Sequence, residues 1–148
     1  MKREIFDLND LNVIITGAAS GNGKAISEAL FDRGANIIAI DKKNINFNIK
    51  PRKKNTYAKF KCNLENEKDL YALINKIKKR YNRIDVLINN AGITLPNKNK
   101  IKVWQKTLNI NLKAPYILIS EISLLMKKYK KGSIINITSL SQKLAFSN

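Results

Sequence analysis

Between Thr16 and Gly23 the chain reads Thr-Gly-Ala-Ala-Ser-Gly-Asn-Gly, with an apolar run before it and a helical pattern after it. Glycines at this spacing let a backbone turn sharply, and the helix that follows presents free N–H groups and a positive dipole end. That combination suits a pyrophosphate. Taken alone, the turn could equally be a tight strand–helix connection. A second residue adds weight. Asp41 closes the next apolar run, 18 residues beyond Gly23. A carboxylate there accepts hydrogen bonds from adenosine ribose hydroxyls and repels a 2′-phosphate. The expected ligand is therefore NAD, with NADP less favoured. Lys42 and Lys43 beside Asp41 are cations that could serve NADP, but no Arg or Lys lies inside the turn.

The inventory excludes much other chemistry. There is no histidine, and Cys62 is the only cysteine. A disulfide within the chain, a Cys/His zinc site and any His-based triad are ruled out. No metal site is expected. Acid–base work must fall to Tyr, Lys, Asp, Glu, water or a cofactor.

The elements that would position these groups alternate between apolar runs and helical patterns, which implies α/β with a parallel sheet. Strands are expected at Asn12–Thr16, Asn36–Asp41, Tyr57–Cys62, within Ile84–Ile88 and at Ser133–Thr138. Helices are expected from Gly21 to Arg33, with Gly34 as the stop, and around Leu70, Leu73, Ile74, Ile77 and Tyr81. A long helix should run from about Ile101 to Lys128. With 148 residues, 44% of them hydrophobic, residues 1–148 read as a single domain with a buried core. The expected fold is a Rossmann-type doubly wound sheet of order 3-2-1-4-5.

The net charge of +17 comes from 28 Lys and Arg against 11 Asp and Glu. Lysines are spread nearly everywhere among many Asn and Ile, a pattern that biased composition produces. The densest clusters fall in loops or at helix ends, where cations are ordinary. Nucleic acid is not an expected partner. No apolar run approaches the roughly 18 residues of a membrane span, and no signal-peptide pattern opens the chain, so a cytoplasmic protein without membrane association is expected.

Further motifs carry a resemblance. Asn89-Asn90-Ala91-Gly92 follows the fourth strand, Leu108-Asn109-Ile110-Asn111-Leu112 follows Trp104, and the fifth strand reads Ile134-Ile135-Asn136-Ile137-Thr138-Ser139. With the Thr16–Gly23 turn these four motifs, in this order, resemble the classical short-chain dehydrogenases/reductases from about Leu8 to Asn148. The resemblance implies an oxidoreductase that moves hydride between NAD(P) and a small alcohol or carbonyl. Gly17, Ser20, Gly21, Asn22 and Gly23 would line the pyrophosphate. Asn63 and Leu64 stand where the family often has Asp-Val near the adenine. Asn89, Asn90, Ala91 and Gly92 would pass close to the adenosine ribose. Asn111 and Ser139 match the catalytic asparagine and serine.

Pro115 adds a physical argument. It lacks the N–H that would bond the Asn111 carbonyl at i−4, so the long helix should kink there.

The resemblance also implies a Tyr-x-x-x-Lys pair after Ser139, and none is present. The string Tyr57–Lys61 falls on an expected strand, where i and i+4 lie about 13 Å apart. The chain is thus expected to be an incomplete form, inactive alone, with apolar surface exposed near Leu140, Leu144 and Phe146. The alternative is a non-catalytic dinucleotide-binding module. The complete form would be a homo-oligomer by the same resemblance.

Overall fold

The computed structural model describes residues 8–47, 49, 54–94 and 100–139. Five parallel strands form one sheet in the order β3-β2-β1-β4-β5: β1 Asn12–Thr16, β2 Asn36–Asp41, β3 Tyr57–Lys61, β4 Val86–Asn89 and β5 Ser133–Asn136. The central strands are unbroken Val/Ile runs because both of their faces are covered. Ile14, Ile38 and Leu87 point to one face; Val13, Ile15, Ile37 and Ile88 point to the other. Helices α2 (Glu67–Arg80) and α4 (Ala114–Lys128) cover the first face, and α1 (Gly21–Asp32) packs on the second. This is the doubly wound Rossmann arrangement with the expected strand order.

The elements follow local signals closely. Helix α1 stops at Arg33, and Gly34 turns the chain with φ +101°. Helix α2 buries Leu70, Leu73, Ile74 and Ile77 at helical spacing.

At the amino edge of the sheet, asparagines stitch the strands together. Thr56 N donates to Asn36 Oδ1, Asn36 Nδ2 to Asn12 Oδ1, and Asn12 Nδ2 to the Arg83 carbonyl. Asn12 N donates to buried Asp85, which also pairs with Arg83. Polar groups are satisfied there at no cost to the apolar centre.

The expected single long helix is a composite. Helix α3 spans Lys100–Leu108, a π turn spans Asn109–Lys113, and α4 begins at Ala114 with Pro115 in its first turn. The interruption foreseen at Pro115 takes the form of a widened turn, in which Ala114 N donates to the Asn109 carbonyl at i−5. Pro115 follows directly, and its missing N–H leaves the Asn111 carbonyl without its i+4 donor.

Strand β5 differs from the other four. It is exposed along its whole length, Ile134 and Ile135 included, as is Ile137 just after it, whereas β3, the other edge strand among the described residues, buries Ala58. The apolar surface expected near Leu140, Leu144 and Phe146 lies outside the described residues. Also among the described residues, no helix is long and apolar enough to cross a membrane.

Candidate functional site

Strand order reverses around β1, so the carboxyl ends of β1 and β4 diverge into a crevice. The Thr16–Gly23 turn lines it. Gly17 has φ +70° and Gly21 φ +55°, a left-handed backbone that side chains disfavour. Gly23 is required for closeness instead: a Cβ there would lie 2.2 Å from the Gly17 carbonyl oxygen and 2.5 Å from Asn90 Nδ2. A Cβ on Gly21 would meet nothing within 4 Å. The turn is therefore tight underneath and open above.

Ser20 is the N-cap of α1, yet its side chain makes no cap hydrogen bond, and the first turn holds no acidic residue. The helix N-terminus faces the crevice with its own N–H groups unsatisfied by any capping side chain. A cradle of this kind fits an anion.

Thr16 and Asn90 fix the turn against β4. Thr16 Oγ1 accepts from Asn90 N at 3.1 Å and Ala91 N at 3.0 Å, while Asn90 Nδ2 donates to the Thr16 carbonyl at 2.9 Å. Asp41 braces the other side. Its Oδ2 accepts from Ala19 N at 2.9 Å and its Oδ1 from Lys43 N at 2.8 Å. Each oxygen keeps a further lone pair for a ligand hydroxyl.

Two adjoining cavities open above these groups. The first, about 420 Å³, is lined by Gly17, Ser20, Asn22, Asp41, Asn63 and Leu64, with Lys42, Lys43 and Cys62 beside them. The second, about 670 Å³, is lined by Asn111, Ser139, Thr94, Pro115 and Tyr116. Asn22, Asn90, Ala91, Gly92 and Ile93 line both. The expected site residues, apart from Gly21 and Gly23, thus line these two adjoining cavities. Cys62 within it is a poor nucleophile: burial, with Asp69 nearby, pushes its thiol up to about 11.

Asn89 is buried and touches only the second cavity, where its Nδ2 donates to Asn136 Oδ1 at 2.9 Å, tying β4 to β5. Its neighbour Asn90 lines both cavities. Thr16 was missed as a site residue. Its signal was available: a buried hydroxyl at the last position of a strand, directly before the glycines.

Asn111 is held by two hydrogen bonds to one residue. Ile93 N donates to its Oδ1 and its Nδ2 donates to the Ile93 carbonyl, both at 2.9 Å. The rejected Tyr57–Lys61 pair lies along β3.

The short-chain dehydrogenase family model matches residues 11–148, nearly the whole chain. The chain belongs to this family. A 3-oxoacyl-[acyl-carrier-protein] reductase of Thermotoga maritima is 36% identical over 137 residues, covering 86% of this chain and 54% of that protein. An NAD-dependent glycerol dehydrogenase of Listeria innocua is 31% identical, covering 95% of this chain and 57% of its own length. The chain therefore spans about half the length of these curated relatives. Among solved structures, a metagenomic short-chain oxidoreductase in complex with NADP superimposes with a TM-score of 0.83 at 27% identity, over 95% of this chain and 67% of that one. A ketone-specific alcohol dehydrogenase of Comamonas testosteroni gives 0.79 at 26% identity, over 89% and 56%. The chain shares the fold of both.

Proposed function

We propose that this short-chain dehydrogenase binds NAD across the two adjoining cavities and serves hydride transfer between the nicotinamide and a small alcohol or carbonyl. The observation that carries the reading is the uncapped N-terminus of α1, opening onto a groove with Asp41 at one end and Ser139 with Asn111 at the other. The glycine turn would hold the pyrophosphate through backbone N–H groups, and Asp41 would accept from the adenosine ribose. Asn63 and Leu64 would flank the adenine. Ser139 would donate to or accept from the substrate oxygen. When bound, the nicotinamide supplies or takes the hydride. The relatives' names, a 3-oxoacyl reductase and a glycerol dehydrogenase, support a carbonyl or alcohol substrate.

NADP has specific support as well. Lys42 and Lys43 line the same cavity as Asp41, and one solved relative holds NADP. The preference for NAD rests on Asp41, whose charge opposes a 2′-phosphate. Equilibrium titration decides it. We expect tighter NAD than NADP binding, with NAD affinity about tenfold weaker and the preference reduced in Asp41→Ala, the loss of one charge-assisted hydrogen bond. Equal or tighter NADP binding by the unaltered chain overturns the preference.

A second reading is a binding module without chemistry. It is favoured by the first cavity, where the glycine turn, the start of α1 and Asp41 suit a dinucleotide without any reacting group. The 148 residues alone are then expected to bind NAD without alcohol-dependent NADH formation. Measurable turnover by this polypeptide contradicts that reading.

A further inference from the structure

The widened turn between α3 and α4 coincides with two features of the groove. It contains Asn111, whose side-chain amide grips both the N–H and the carbonyl of Ile93. It also ends just before Pro115, which lines the second cavity. A regular helix through this stretch needs residue 115 to donate to the Asn111 carbonyl. Proline has no proton to donate, and its ring crowds that carbonyl. The backbone relieves the conflict one step earlier, where Ala114 N reaches back five residues to the Asn109 carbonyl. Turns of this kind are rare and cost hydrogen-bond quality, so they persist where something holds them.

We propose that Pro115 is a positioning residue for the reaction side of the groove. By denying the helix an N–H it keeps the π turn in place, and the π turn sets Asn111 to clamp Ile93. The clamp fixes the segment after β4, Ala91–Ile93, which is shared by both cavities. Asn111 is exposed, so its two hydrogen bonds compete with water and hold only if the backbone aims the amide correctly. A loop that borders both the dinucleotide and the substrate is thereby tied to a helix by a backbone irregularity. That functional consequence rests on the reading of the groove given above; the mechanical link does not.

Amide exchange and side-chain resonances on the full 148-residue chain test it. Pro115→Ala restores an N–H that can reach the Asn111 carbonyl, and it suits a helix, so folding is not at risk. We expect Ile93 N–H to exchange about tenfold faster and the Asn111 side-chain amide signals to move, while the amides of β1 stay as they were. Asn111→Ala, with Pro115 kept, should release Ile93 to the same extent. The double variant should add nothing further, since both act through one contact. Unchanged Ile93 exchange and Asn111 signals in Pro115→Ala overturn the role of the proline. Unchanged Ile93 exchange in Asn111→Ala overturns the clamp itself. NAD titration of the same samples reports separately on the binding function: a chain that fails to bind NAD while Pro115→Ala releases Ile93 removes the functional reading and leaves the mechanical one standing.

Discussion

Helices α1 and α2 both begin at the carboxyl edge of the sheet, yet their first turns are built in opposite ways. Helix α2 closes itself. Asn66 caps it, accepting from Lys68 N and Asp69 N, and Glu67 and Asp69 place two carboxylates in its first turn. Helix α1 has neither: Ser20 makes no cap bond, its first turn holds no acid, and the space above Gly21 is open. The same unmet N–H groups and the same dipole exist at both ends. One helix is satisfied by its own side chains, and the other is not; on the proposed function, that vacancy serves an anion. The difference marks where the ligand goes better than the glycines alone, which a mere tight connection would also use.

The comparison can be broken most severely at Gly23. Gly23→Ala forces a methyl against the Gly17 carbonyl and Asn90, so we expect loss of NAD binding and about 1–3 kcal/mol of stability, read by calorimetry and urea denaturation. The α2 side should be quiet chemically. Cys62, with its thiol raised from 9.0 to about 11 by burial and by Asp69 of that closed first turn, should alkylate about a hundredfold more slowly at pH 8 than an unfolded control. The neutral thiol is the form the fold prefers, so this contribution to stability is complete below pH 9.0 and is lost as pH rises through about 11. Asn66→Ala should cost about 1 kcal/mol of stability and leave NAD affinity untouched. Ser20→Ala should cost the least, a few tenths of a kcal/mol in denaturation, because there is no cap to remove. Equal losses for Ser20→Ala and Asn66→Ala would erase the distinction between the two termini.

Much of this was legible in the residues. The Ile/Val runs could only be buried parallel strands, and Gly17, Gly21, Gly23 and Asp41 fell at spacings that one fold explains. What stayed hidden depends on partners. Asn89 and Asn90 are chemically identical, and only their partners in the fold separate them: Asn89 bonds Asn136, and Asn90 bonds Thr16 at the glycine turn. Pro115 announced an interruption but not its form, because a helix can answer a missing N–H by kinking or by widening. The grip of Asn111 on Ile93 joins residues 18 apart through backbone atoms, which no side-chain pattern records.

The claim that α1 is left open for a dinucleotide is tested most directly by following backbone amides during NAD titration. The account predicts large shifts and slowed exchange at Gly21, Asn22 and Gly23, with Lys68 and Asp69 at the start of α2 unmoved. Absence of NAD binding to the folded chain, or binding that leaves those three amides unperturbed, would contradict it.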